Sequence, residues 1–207
     1  MAKDGYYLVV PLTLIAVLFF YLEWRVPAIF CLALALFMAY FFRDPERVIP
    51  TESARIVSPA DGRVVEILPA AHSASGQTQI AIFLSPLDVH INRSPIAGRV
   101  ESSEYKPGKF MAAFKPSASI ENEQNVITIN NGQYKVVVKQ IAGVLARRIV
   151  CWKRSGDTVA QGERIGLIKF GSRVEMLLPA TVEVAVQVGD RIKGGSSIIG
   201  KYHENTR

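Results

Sequence analysis

The chain has 207 residues, 49% of them hydrophobic, and carries 24 Lys and Arg against 18 Asp and Glu for a net charge of +6. That length suits one medium-sized domain plus an appendage, and two cysteines, Cys31 inside an apolar run and Cys151 after Val150, argue against a disulfide framework or a metal site. A basic surface favours anionic lipid or acidic substrates, and without aromatic-interleaved basic clusters it disfavours nucleic acid.

Tyr6 to Leu22 is uncharged and apolar, Glu23-Trp24-Arg25 interrupts it, and Val26 to Phe42 is apolar again. Each run is at the short end of what crosses a bilayer. Two of them back to back predict a membrane-associated helical hairpin over residues 1–43. Tyr6, Tyr7, Tyr21, Trp24 and Tyr40 stand near the ends, as interfacial aromatics do. Lys3 precedes the hairpin and Arg43, Arg47 and Arg55 follow it, against Arg25 in the turn, a bias that puts both ends in the cytoplasm. The expected location is therefore the cytoplasmic face of the cell membrane.

Pro45 and Pro50 mark a linker over residues 44–53. From there to residue 207 the chain reads as one β-rich domain. Ile56-Val57, Val64–Ile67, Thr78–Leu84, Val126–Ile129, Tyr134–Ile141 and Val182–Val188 are β-branched runs bounded by Gly, Pro, Asn or Asp. Two patterns recur. Ser58-Pro59-Ala60-Asp61-Gly62-Arg63-Val64 is echoed by Ser94-Pro95-Ile96-Ala97-Gly98-Arg99-Val100, and Gly156-Asp157-Thr158-Val159-Ala160-Gln161-Gly162 by Gly189-Asp190-Arg191-Ile192-Lys193-Gly194-Gly195. Paired half-motifs of this kind are similar to those of a barrel-sandwich hybrid, the compact β-fold of lipoyl and biotinyl carriers. The expected fold is mainly β, a barrel-sandwich-hybrid-like domain behind an N-terminal hydrophobic hairpin. Between strands, the stretch Tyr105 to Lys115 mixes lysines with apolar residues without a period, which suits either core or a loop that dips into lipid.

Three features could do chemistry. His90 follows an apolar strand, where a side chain can face a cleft and exchange a proton near neutral pH; a structural histidine reads equally well there. Asp61 sits in a Pro-Ala-Asp-Gly turn and by default forms that turn. His72 and His203 look incidental. Gly171-Ser172 lies between two apolar-rich runs, Ile168-Lys169-Phe170 and Val174–Leu178. Glycine admits strained geometry, and the serine hydroxyl can attack the carbonyl before it when a base is near. The amide would become an ester, elimination would leave dehydroalanine, and hydrolysis would give a pyruvoyl group. Gly-Ser pairs are also ordinary turns, and the second pair, Gly195-Ser196, is read as one.

Taken together, Phe42-Arg43-Asp44-Pro45, Ser58–Gly62, Phe83–Arg93, Gly108-Lys109-Phe110, Asn122–Asn125 and Phe170–Val174 resemble the phosphatidylserine decarboxylase family, in its short bacterial and archaeal branch. The resemblance implies a self-cleaving, membrane-associated enzyme with a covalent pyruvoyl cofactor. It implies cleavage at Gly171-Ser172 into a β chain of residues 1–171 and an α chain of residues 172–207. It further implies decarboxylation of phosphatidylserine to phosphatidylethanolamine through a Schiff base. Longer members use an Asp, matched by Asp61, and a second histidine, whose place here is taken by Arg93; the base for self-cleavage is then His90 or Asp61. His90 is expected to protonate the product carbanion, and Arg93, Lys109 or Lys115 to hold the phosphodiester. The domain could also assemble as a homo-oligomer. The competing expectations are a non-enzymic membrane-anchored carrier or adaptor modified at Lys169, and a lipid-binding protein that never matures.

Overall fold

The structure, a computed structural model, describes residues 1–52, 54–73, 75–113, 115, 117–144, 148–169 and 171–202. Phe114, Phe170 and His203 lie outside the described residues. Contacts divide the chain into two compact units, Met1–Glu46 and Arg47–Arg207.

The first unit is a pair of antiparallel helices, α1 (Lys3–Tyr21) and α2 (Arg25–Phe41), joined through Glu23 in the left-handed region at φ 60°. They bury Gly5, Ala16, Ala28 and Ala35, small residues that let two helix backbones approach closely. Tyr7, Leu14, Phe20, Val26, Phe30 and Leu36 are left exposed. The N–H of Ala2 donates to the carbonyl of Phe42 at 2.8 Å, closing the open end of the hairpin. α1, with 19 residues, is long and apolar enough to cross a membrane, and α2 is a shorter apolar helix of 17 residues.

The second unit is built of strands: β1 (Arg55–Val57), β2 (Gly62–Leu68), β3 (Thr78–Leu84), β4 (Ile91–Arg93), β5 (Gly98–Lys106), β6 (Gln124–Asn130), β7 (Lys135–Ile141), β8 (Ile149–Cys151), β9 (Thr158–Val159), β10 (Arg164–Ile168), β11 (Ser172–Leu178), β12 (Val182–Val184), β13 (Arg191–Ile192) and β14 (Ile198–Tyr202). One short helix, α3 (Ala118–Glu121), precedes β6. An eight-stranded sheet runs β13-β2-β3-β11-β7-β6-β5-β9, and two three-stranded sheets run β4-β10-β8 and β1-β14-β12. Ile80, Ile82, Ile127, Ile129, Val136, Val138, Val174, Met176 and Leu178 share one continuous apolar core with Ile165, Ile168 and Ile199. The fold is mainly β with an N-terminal apolar helix pair, as the sequence predicts.

The two echoed motifs are two halves of one pattern. Ser58 donates its hydroxyl to the Ala60 carbonyl at 2.7 Å, and Ser94 does the same to Ile96 at 2.6 Å. The carbonyl of Ser58 accepts from the N–H of Gly195 and that of Ser94 from Gly162, each at 2.8 Å. Val64 exchanges hydrogen bonds with Gly189 and Asp190, and Val100 with Gly156 and Asp157, at 2.8–2.9 Å. Each Ser-Pro half is thus clasped by one Gly-Asp half, which fixes the ends of β2 and β5 by the same local chemistry.

The run expected as a strand to Val188 leaves its ladder after Val184, because the chain must turn at Gly189 (φ 103°) to reach Val64. β11 lies between β3 and β7 and is buried along its whole length. Ile82, fully buried in β3 opposite Val174, packs in the core on the same sheet beside it. Ile82→Ala should therefore cost about 2–5 kcal/mol, read as a lowered denaturation midpoint in detergent; a change under about 1 kcal/mol would contradict this packing.

Candidate active site

Strand β11 places Gly171-Ser172 at its entrance. Gly171 takes φ +63°, which a glycine adopts without Cβ strain. Ser172 is 0% exposed, and its Oγ has no hydrogen-bond partner among the described residues. Buried hydroxyls are nearly always partnered, so an orphaned one beside a left-handed glycine marks a place where satisfaction has been given up.

Side chains alternate across β11. Ser172 therefore shares a face with Val174, Met176 and Leu178 of the core, while Arg173 and Glu175 occupy the other face. Arg173, 2% exposed, donates through Nε to Glu175 Oε1 at 2.7 Å and through Nη2 to Glu66 Oε2 at 2.6 Å. Glu175, 0% exposed, also accepts from the hydroxyl of Ser119 on α3 and lies 3.7 Å from Lys139 Nζ. Buried charges persist when they are paired and hydrogen-bonded. This cluster anchors β11 immediately after Ser172.

His90 comes from the loop before β4 and is 2% exposed. Its Nε2 accepts the N–H of Gly171 at 3.2 Å, and its Nδ1 lies 3.0 Å from the carbonyl of Asp88. A carbonyl can only accept and an amide N–H can only donate, so the ring carries its proton on Nδ1 and presents the Nε2 lone pair to the Gly171 N–H, in the amide that precedes the Gly-Ser peptide. Ile168 N–H reaches the carbonyl of His90 at 3.3 Å, tying the two segments together by backbone as well.

The other residues singled out in the sequence lie elsewhere. Asp61 accepts from Arg47 Nη2 at 2.9 and 2.7 Å and from the Gly194 N–H at 2.9 Å, and makes no hydrogen bond to Ser172 Oγ. Burial pushes its carboxyl above the ordinary range, against the lowering pull of the Gly194 N–H and Arg47. Arg93 is 6% exposed and donates to the carbonyl of Gly162 at 2.9 Å, in the clasp of the second Ser-Pro half. Lys109 is exposed and paired with Glu121 at 2.6 Å, which raises its pKa. Lys115 is exposed. In the stretch from Tyr105 to Lys115, Tyr105 and Phe110 are exposed and Ala113 is buried.

The phosphatidylserine decarboxylase family model matches residues 34–200, which contain all of these groups. The chain belongs to the phosphatidylserine decarboxylase family. It is 50% identical over 175 residues to the phosphatidylserine decarboxylase proenzyme of Chlorobium chlorochromatii (strain CaD3), covering 84% of this chain and 82% of that one. It is 45% identical over 205 residues to the proenzyme of Symbiobacterium thermophilum, covering 97% and 95%. A third proenzyme of the same name, from Solibacter usitatus, is 47% identical over 201 residues, covering 97% and 96%.

Sequence reasoning treated Arg47 as a topology charge and gave no role to Glu66, Ser119 or Glu175. The one available signal was Glu175 itself, an acid in an otherwise apolar strand.

Because the folded carboxyl of Asp61 holds its proton more tightly than an unfolded one, its contribution to stability is present at low pH and is lost as pH rises through the carboxylate range. Arg47→Ala removes a cation that favours the charged form, so the Asp61 midpoint should move further up in carboxyl-carbon NMR titration. An unmoved midpoint would show that Arg47 does not govern Asp61.

Proposed function

We propose that the chain is a self-cleaving, pyruvoyl-dependent decarboxylase that converts phosphatidylserine to phosphatidylethanolamine and carbon dioxide. The observation that carries this is the orphaned Ser172 hydroxyl beside a left-handed Gly171 whose N–H is held by His90. The family and the proenzyme relatives support the same reading. The residues present fit the group, because the hydroxyl is buried without a partner among the described residues, next to the carbonyl it would attack, and the His90 ring nitrogen stands at the amide one residue before that peptide.

In the maturation, Ser172 Oγ attacks the carbonyl carbon of Gly171 and gives up its proton, for which His90 Nε2 is the base. The amide C–N bond breaks, the nitrogen takes a proton, and an ester joins the two residues. Loss of the Ser172 Cα proton then expels the Gly171 carboxylate and leaves dehydroalanine. A proton shift from nitrogen to the methylene carbon turns dehydroalanine into the imine, water adds at its carbon and ammonia departs, leaving a pyruvoyl end on residues 172–207 and a free carboxylate on residue 171. Asp61 acts at a distance in this scheme, by holding Arg47 and the Gly194 turn.

A pyruvoyl group formed at position 172 would supply a carbonyl electrophile for the serine amine of the lipid and an electron sink for the pair released with carbon dioxide. Arg173, fixed by Glu66 and Glu175, keeps the new chain end in place. His90, once protonated at Nε2, delivers the proton that replaces the lost carboxyl. Lys109 and Lys115 stand as the cationic groups for the phosphodiester, as point charges; Arg93 is committed to the Gly162 carbonyl. The apolar helix pair, residues 1–43, serves as the membrane-associated part, on the cytoplasmic face, with residues 44–53 as linker and 54–207 as the catalytic domain.

Ser172→Ala should remain one chain on denaturing gels and release no carbon dioxide from phosphatidylserine vesicles. His90→Gln should reduce decarboxylation by about 100-fold or more in whatever fraction still matures. A Ser172→Ala protein that is cut and active would remove the basis of the proposal. An uncut parent protein carrying a lipoyl or biotinyl mass on Lys169 would favour the carrier reading.

A further inference from the structure

The carbonyl of Gly171 lies in the space that a side chain on Gly143 would fill. A Cβ built on Gly143 would stand 2.2 Å from Gly171 O and 3.3 Å from Gly171 C, far inside any real contact. Gly143 is not one of the glycines with positive φ, so its backbone conformation does not call for glycine. The close approach of the Gly171 carbonyl does. The pairing of β7 with β11, Arg173 opposite Ile141, carried two residues further brings Gly143 opposite Gly171.

The seat is braced from a second direction. Ala142 N–H donates to the carbonyl of Glu123 at 2.9 Å. Asn122, 1% exposed, donates through Nδ2 to the carbonyls of Ala142 at 2.7 Å and Met111 at 2.8 Å, and accepts the Met111 N–H on Oδ1 at 2.9 Å. One carboxamide thus joins the end of β7 to the segment bearing Ala113, whose Cβ is 3.3 Å from the same point on Gly143.

We propose that Gly143 is a positioning residue for self-cleavage: it forms the seat that aims the Gly171 carbonyl at Ser172 Oγ, with Asn122 as its brace. The proposal rests on the cleavage reading above. It assigns the two residues to maturation and not to the decarboxylation that follows, because the cut detaches Gly171 from residue 172.

The full chain is synthesised cell-free into lipid nanodiscs, and cleavage is followed over time by denaturing gel and intact mass. Gly143→Ala displaces the carbonyl by about 1 Å, which should slow cleavage by about 100-fold. Hydroxylamine at neutral pH, which cuts an ester far faster than an amide, should release no fragment with the mass of residues 172–207 from denatured Gly143→Ala, placing the block at the first bond exchange. The matched control is Gly98→Ala, whose Cβ would stand 2.5 Å from the carbonyl oxygen of Asn130; it should lose thermal stability yet cleave at the parental rate. Asn122→Ala, which leaves the seat empty and removes its brace, should cleave about 10-fold slower and decides the matter if Gly143→Ala does not fold. Parental cleavage in Gly143→Ala, or in Asn122→Ala when the former is unfolded, would overturn the assignment. So would an equal loss in Gly98→Ala. A parent chain that is never cut before residue 172 would instead refute the cleavage reading itself.

Discussion

The hydrogen bond from the Gly171 N–H to His90 Nε2 is the constraint around which the candidate site is arranged. It joins a peptide at the mouth of the most buried strand to a ring held on the neighbouring sheet, and it settles the tautomer of that ring. Without it, His90 would be an ordinary buried imidazole, and Gly171-Ser172 would be one more turn. With it, the fold brings the ring of His90, 81 residues away in sequence, to Gly171, next to a hydroxyl that has no hydrogen-bond partner among the described residues.

What surrounds that contact divides into a fixed side and a yielding side. On the fixed side, Arg173, Glu175, Glu66 and Ser119 lock β11 from its second residue onward through a buried ionic cluster. Such clusters are weak sources of net stability; here the cluster's value is geometric, since it holds residue 172 whether or not residue 171 is attached. On the yielding side, Gly171 sits in the left-handed region, where glycine is free of Cβ strain, and is held through its N–H by His90.

Much of this was legible in the chain itself. Thr78–Leu84 and Tyr134–Ile141 are runs rich in β-branched residues bounded by turn formers, from which β3 and β7 follow, and the Ser-Pro and Gly-Asp echoes announced the two clasped halves of the domain. β5 was missed because Glu101, Ser102, Ser103 and Glu104 give it no apolar alternation; its backbone ladder to β6 forms it regardless. The Gly171-Ser172 pair, between two apolar runs, and His90, after an apolar strand, were singled out from the sequence, and the fold brings them together. Gly143 could not be found that way, because its importance lies in a backbone approach from a residue far along the chain. Asp61 shows the converse: a chemically suggestive residue whose carboxylate the fold commits to Arg47 and Gly194.

The central claim is that the electrophile is built from Ser172. Its most direct measurement is borohydride trapping of the purified protein on phosphatidylserine vesicles, followed by intact mass of the separated chains. The account predicts that the lipid-derived mass is reduced onto residue 172 of the chain spanning residues 172–207. Trapped mass on a lysine, on residues 1–171 or on an uncut chain would contradict it.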